Sequence, residues 1–500
     1  MKLWLILILL SLITYYLVQR SVSKITKTPV WLCWLVMMLP AFIWTAWASF
    51  FGEERPLPLV LIVLPFVICP FLYGWLIQIG RLSKTEAEQV ESSNSIEAET
   101  KPSLDAAKPN TARELSQVRP INATEEKALR SCFPWNIYYL QHIDYRPQAI
   151  LCRGKLRTLS EEAYQKIKTN VEQAFGDRFF LIFQESFGGQ PFFALVPNPQ
   201  AQQKQRRAIK KITRPGLALG LLFIALITTT QAGLEMSGIT WEQLESNPSL
   251  IVSGLAYSLA LISIFGIHEL SHYLVACYYH IRTTLPYFIP FPFFLGTLGA
   301  FMQRQEPFPH RKALFDVSIV GPVVGFLVTL PILLWGLSLS ELVPLQDANI
   351  INIEALDLRF SFLLAVLGKI ALGSQLQPGM GVHLHPLAIA GYIGLWIAAL
   401  NLMPVGSLDG GHIVHAVFGQ QTAMIVGQVT RFVAVLFALL HPHFWIWAII
   451  LWFIPLIDQP ALNDVTELDQ WRDLSGLLAL ALLVIILLPL PVTVAQWFNI

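Results

Sequence analysis

The sequence predicts a polytopic α-helical membrane protein with a small soluble α/β domain set into it. Three observations carry that expectation. Of 500 residues, 54% are hydrophobic and only 13% charged, against about a quarter charged in a soluble domain. Apolar runs close to the roughly 20 residues that cross a bilayer recur along the chain. Residues 123–200 interrupt them with mixed strand and helix periodicity. The net charge of +1 gives no overall basic field, so no nucleic-acid partner is expected. The five cysteines (Cys33, Cys69, Cys132, Cys152, Cys277) lack CxxC spacing, which argues against a disulfide framework or a thiolate metal cage.

Residues 1–82 hold apolar runs at 3–19, 30–51 and 57–80, predicting about three membrane helices. No A-x-A-like site follows the first run, so an uncleaved helix is expected, with a cleaved signal as the alternative. Residues 83–122 are rich in Glu, Ser, Lys, Asn and Pro. Such a stretch buries too little apolar surface to fold and reads as a disordered linker.

In the 123–200 domain, Ala149 to Cys152 reads as a strand. Ala163, Ile167, Val171 and Phe175 recur at helical spacing over Ser160–Phe175. Phe179 to Phe183 and Pro191 to Val196 read as strands. Residues 201–214 are basic (Lys204, Arg206, Arg207, Lys210, Lys211, Arg214) and abut an apolar run, a juxtamembrane topology signal.

Residues 215–500 form the remaining membrane region, with apolar runs at 216–232, 250–279, 313–338, 386–404, 423–440, 443–457 and 474–497. Arg20, Lys24, Lys27, Arg81 and the 204–214 cluster place the soluble domain in the cytoplasm. Loop 233–248 carries Glu235, Glu242 and Glu245 with no basic residue, so it lies outside. The run 250–279 then travels inward.

That run contains His268-Glu269-Leu270-Ser271-His272. Residues four apart share a helix face, so both imidazoles reach one metal ion. Glu269, next to the first ligand, is placed as general base toward a metal-bound water. Ionisable groups inside membrane helices are functional by default; helix-to-helix polar adhesion is the alternative, and it does not require this spacing.

A catalytic zinc takes three protein ligands and keeps one position open. Asp409, in Asn401-Leu-Met-Pro404-Val-Gly-Ser-Leu-Asp409-Gly-Gly, is the best candidate third ligand. Pro404 frees backbone groups locally. The other reading of Asp409 is a helix cap in an ordinary Asp-Gly turn, and the residues alone do not choose. His383, His385, His412, His415, His280, His310, His441 and His443 are read as structural or interfacial, with His412 able to support the ligands from behind.

Convergence of His268, His272 and Asp409 sets a topological condition. If 359–376 crosses the membrane, Asp409 reaches the wrong face; Arg359, Lys369 and Gly373 favour a non-spanning, interfacial or re-entrant segment. Pro286 to Gly296, with its prolines and aromatics, reads either as a re-entrant loop or strand whose edge pairs with an unwound substrate or as a surface anchor. Gly321-Pro322-Val-Val-Gly325 is expected to permit close packing against the catalytic helix.

HELSH in one membrane segment and NLMPVGSLDGGH in a later one together resemble the site-2 protease family of intramembrane zinc metalloproteases. The resemblance implies a site-2 protease-like core, zinc as cofactor, and Asp409 as its third ligand. Asn401 and Pro404 match the family's NxxPxxxLDG pattern, with Asn401 shaping the site or holding substrate backbone. Cys152-Arg-Gly-Lys-Leu-Arg157, Phe175-Gly-Asp177, Gly296-Thr-Leu-Gly-Ala-Phe301 and His385-Pro-Leu-Ala-Ile-Ala-Gly391 are similar to the EGY-type branch of chloroplast and cyanobacterial homologues. Some of that branch lack the zinc motif; this chain keeps every motif position. The implied activity is endopeptidase cleavage of membrane-protein substrates, single-span ones above all, in regulated intramembrane proteolysis. The implied location is a cell or thylakoid-type membrane. The rival readings are an inactive relative acting as membrane scaffold or chaperone, and a metal transporter, for which no paired repeats are seen.

Overall fold

The computed structural model describes residues 11, 14–15, 29–51, 69, 72, 76, 121–146, 149–186, 189–198, 214–291, 295–344, 356–440, 444–456 and 458–498. The chain divides into two units, Met1–Arg113 and Glu114–Ile500. In the first, the expected run 30–51 is helix α1 (Val30–Phe51), and Trp34 Nε1 donates to the Ser11 carbonyl at 3.0 Å. The run 57–80, apart from Cys69, Leu72 and Leu76, and residues 83–120 of the expected linker 83–122 lie outside the described residues; the last two linker positions, Ile121 and Asn122, belong instead to the soluble domain, as core residue and helix cap.

The second unit begins with the soluble domain. Asn122 caps α2 (Ala123–Ser131) through a reciprocal box with Glu125. Strands β1 (Tyr138–Arg146), β2 (Ala149–Leu156), β3 (Phe179–Glu185) and β4 (Pro191–Pro197) form an antiparallel sheet in the order β1-β2-β4-β3. Helix α3 (Ser160–Phe175) buries Ala163, Tyr164, Ile167 and Val171. A core of Tyr138, Ile150, Cys152, Phe183, Phe193 and Leu195 completes the domain, and Val465 from much later in the chain joins it. Strand β1 was not expected: a bulge between Leu140 and His142 breaks its alternation. Strand β2 runs four residues past the expected Cys152.

The membrane region follows. Among the described residues, five helices are long and apolar enough to cross a bilayer: α4 (Pro215–Met236), α5 (Ile251–Tyr278), α6 (Arg311–Ser338), α10 (Gln420–Leu440) and α12 (Gln470–Leu487). Between them lie the hairpin β5 (Tyr287–Pro290) and β6 (Thr297–Phe301), strand β7 (Glu341–Pro344), α7 (Phe362–Leu372), strand β8 (Met380–His383), α8 (Pro386–Leu402), α9 (Asp409–Phe418) and α11 (Trp445–Phe453); α13 (Val492–Phe498) closes the chain. Two expectations need correction. The run 443–457 holds only a nine-residue helix, about 14 Å at 1.5 Å per residue, because Pro455 follows it. The run 474–497 is helical only to Leu487, then turns at Pro489 and Pro491 and resumes as α13.

Helix α7 has eleven residues, about 16 Å, too short for a hydrocarbon core about 30 Å thick. Its flanks return to one place. Strand β7, directly after α6, pairs with β8, directly before α8, with Leu342 opposite Val382. Ser340 Oγ also accepts from the His385 backbone N–H at 3.0 Å. The chain therefore enters α8 on the side where it left α6.

Candidate metal centre

Helices α5 and α6 run antiparallel, with small residues of α6 facing the imidazoles of α5. A Cβ placed on Gly321 would lie 2.0 Å from His272 Nε2, and one on Gly325 would lie 2.9 Å from His268 Nδ1. The Gly-Pro-Val-Val-Gly stretch is thus a notch for two rings.

Within the notch, His272 Nδ1 lies 2.6 Å from the Val317 carbonyl oxygen. A carbonyl accepts only, so this nitrogen carries the proton and Nε2 keeps its lone pair free. The Nε2 atoms of His268 and His272 are 3.3 Å apart. Asp409 Oδ2 stands 3.3 Å from His272 Nε2 and 3.8 Å from His268 Nε2. Ligands about 2.0–2.1 Å from a shared zinc are about 3.3–3.4 Å apart in a tetrahedron. The three donors fit that geometry, and imidazole with carboxylate is a donor set zinc accepts. Among the described residues no other trio of His, Cys, Asp or Glu draws its donor atoms together in this way.

Asp409 arrives because α8 stops short. Helix α8 ends at Leu402, and residues 403–408 turn back before α9 begins. Non-helical backbone at this depth must be sheltered by protein; Met403 and Val405 are buried. Gly406 takes φ +48, and a Cβ on it would meet the Pro455 carbonyl oxygen, so only glycine suits the turn. Leu408, not Asp409, occupies the cap position of α9, with no side-chain hydrogen bond. The carboxylate is left to face the histidines rather than its own backbone.

A cavity of about 230 Å³ opens onto these groups, room for several waters at about 30 Å³ each. Glu269, Asn401 and His412 line it together with Phe301, Met302 and Arg304. The Met302 backbone N–H lies beside the Glu269 carboxylate, and Asn401 Nδ2 is 3.3 Å from His268 Nε2. Pro404 does not line the cavity; its carbonyl faces Gly427. His385 and His310 cap α8 and α6, each accepting a backbone N–H through Nδ1.

Three residues escaped the sequence reading. Arg304 lines the cavity with its guanidinium 4.1 Å over the Phe308 ring. Asp458 and Asp464 lie behind α9 and bond its histidines. The available signal for Asp458 was a lone acid at the end of an apolar run.

Comparison with known proteins agrees with this geometry. The pattern of Peptidase family M50 matches residues 256–440, and that of the EGY3 middle domain matches residues 127–204. The chain is 28% identical over 367 residues to the probable zinc metalloprotease EGY2, chloroplastic, of Arabidopsis thaliana, covering 72% of this chain and 63% of that one. It is 26% identical over 372 residues to the probable zinc metalloprotease EGY1, chloroplastic, of the same plant, covering 69% and 66%. It is 25% identical over 387 residues to the probable zinc metalloprotease EGY3, chloroplastic, of Oryza sativa subsp. indica, covering 74% and 65%. The chain thus spans just under two thirds of the length of these relatives. No solved structure matches it.

Proposed function

With a Peptidase family M50 domain over residues 256–440 and an EGY3 middle domain before it, we propose that this multi-pass membrane protein is a zinc endopeptidase that cleaves membrane-protein substrates. The observation that carries the reading is the convergence of His268, His272 and Asp409 beside Glu269 in one cavity. His268 and His272 through Nε2, and Asp409 through Oδ2, hold the ion. Bound there, zinc supplies Lewis-acid chemistry, polarising a peptide carbonyl and acidifying water. Glu269 takes the proton of the attacking water and delivers it to the departing amine. Asn401, at the cavity wall, orients the substrate backbone. Pro404 sets the turn that delivers Asp409, and His412 supports that turn from behind.

The substrate is an unwound stretch of a single-span membrane protein, cut in regulated intramembrane proteolysis. Among the described residues, β6 pairs on one edge only, with β5, and its end leads into the cavity through Phe301 and Met302. An extended peptide added there presents its scissile bond to Glu269. The soluble domain lies on the cytoplasmic side, an orientation supported by Arg304 in the loop ahead of α6 and by Arg311 and Lys312 at its start.

The test is cleavage of a single-span reporter by purified protein in liposomes, with zinc measured in parallel. Glu269→Gln is expected to keep one zinc and lose cleavage. A wild type that binds zinc and cleaves no membrane substrate would leave the scaffold reading in its place.

A further inference from the structure

Helix α9, which begins with Asp409, has only ten residues, too few to hold a position by itself. Its surroundings fix it on three sides. At its start, Gly410 and Gly411 lie against the main chain of 402–406, where a Cβ would come within 2.0 Å of the Leu402 oxygen and 2.3 Å of the Gly406 oxygen. At its end, Arg311 Nε donates to the Ala416 carbonyl at 3.0 Å. On its rear face, His412 Nδ1 lies 2.5 Å from Asp458 Oδ2, and His415 Nδ1 lies 3.1 Å from the same oxygen. His415 Nε2 lies 3.1 Å from both oxygens of Asp464. All five side chains are buried.

Buried ionic networks add little net stability compared with apolar packing, and their best-attested use is to fix geometry. Neither Asp458 nor Asp464 touches the three ligands, so metal binding does not account for them. Their own anchorage leads outward. The Phe183 backbone N–H of β3 donates to the Leu462 carbonyl at 2.7 Å, and the Asp464 N–H donates back to Phe183 at 2.9 Å. Gln184 Nε2 donates to Gln420 Oε1 at 3.1 Å, and Gln420 Nε2 donates to the Asp458 carbonyl at 3.1 Å. The strap 458–465 is therefore an extra strand-like edge of the soluble sheet and the rear wall of α9 at once.

We propose that Asp458 and Asp464 are positioning residues for Asp409, through which the soluble domain sets the geometry of the metal centre. The inference rests on the reading of His268, His272 and Asp409 as zinc ligands. Its consequence is that a partner which pulls β3 from the strap slackens Asp409 without entering the cavity.

The experiment uses the full chain in detergent micelles, reading zinc affinity by chelator competition and the visible spectrum of the cobalt-substituted protein. Asp458→Ala and Asp464→Ala are expected to weaken zinc by about 10- to 100-fold, the range for groups that orient metal ligands, and to alter the cobalt bands. Asp458→Asn keeps an acceptor for His412 and is expected to recover most of the loss. Zinc affinity within twofold of wild type and an unchanged cobalt spectrum in a folded Asp458→Ala protein would overturn the proposal. If that variant does not fold, Asp464→Ala alone decides it by the same criterion. Asp409→Ala separates the two readings: zinc retained there defeats the metal centre itself, whereas zinc lost there but kept in Asp458→Ala defeats only the positioning role.

Discussion

Gly321 stands directly under the His272 ring, so close that one added methyl would lie 2.0 Å from the ligand nitrogen. Real Cβ atoms do not approach that near, so Gly321→Ala must swing the imidazole away from Asp409. We expect at least a tenfold loss of zinc affinity with the melting temperature lowered only slightly, because α6 tolerates alanine as a helix former. Chelator competition and thermal unfolding in detergent check it. An unchanged affinity would mean that the ring does not use Nε2 for the ion.

Removing a ligand and removing the base have different signatures. His272→Ala and Asp409→Ala are expected to drop zinc well below one per chain. Glu269→Gln should keep zinc and lower kcat by about 100- to 10,000-fold, the range for general acid–base groups. Metal analysis alongside reporter cleavage distinguishes these cases, and Glu269→Gln that cleaves normally would remove Glu269 from the chemistry.

The strap also has a pH signature. Burial disfavours charge on His415, yet the carboxylates of Asp458 and Asp464 overcome it and hold the imidazole up at about 9. Arg311, packed on the same helix end, bonds backbone carbonyls and leaves those carboxylates to the histidines. Burial likewise opposes the charge on Asp458, but His412 and His415 hold its carboxyl far below the usual range. A raised histidine pKa gives stability that is complete below the unfolded value near 6.5 and disappears as pH passes about 9. A lowered aspartate pKa gives stability present above about 4 and lost in acid. The melting-temperature gap between wild type and His415→Gln should be widest between about pH 4 and 6.5 and should shrink by pH 9.5. A gap independent of pH would show that His415 is neutral.

The soluble domain has its own weak point. Phe183 and Phe193 stack with centroids 4.1 Å apart, both fully buried. Phe193→Ala is expected to destabilise the domain by about 3–5 kcal/mol, seen as faster hydrogen exchange in β2, β3 and β4. Because β3 carries the strap, zinc affinity should fall as well, although residue 193 is not part of the metal site.

Local patterns in the chain foretold much of this architecture, and distant pairings much less. Helical spacing announced α3, and the length of apolar runs announced α5 and α6 to within two residues, since periodicity and run length are set locally. HELSH announced two imidazoles on one helix face for the same reason: four residues is about one turn. Asp409 was visible only as a candidate, because nothing in Asp-Gly-Gly distinguishes a cap from a ligand until α8 is known to run toward the histidines. That direction depended on β7 pairing with β8, two four-residue strands too short to announce themselves. Asp458 and Asp464 went unread because their importance comes from His412 and His415, more than forty positions earlier.

The β7–β8 pair has a last consequence. It closes the ends of the stretch from 345 to 379 into a clasp, so whatever that stretch contains returns the chain to one fixed point. Within it, α7 packs Leu364 and Leu367 into the membrane core, and Leu356 bonds back to Val382 of β8, so the clasp is held from inside as well as at its ends. The return of the chain to α8 is thereby tied to the seating of α7, and a change that unseats α7 is felt where α8 begins.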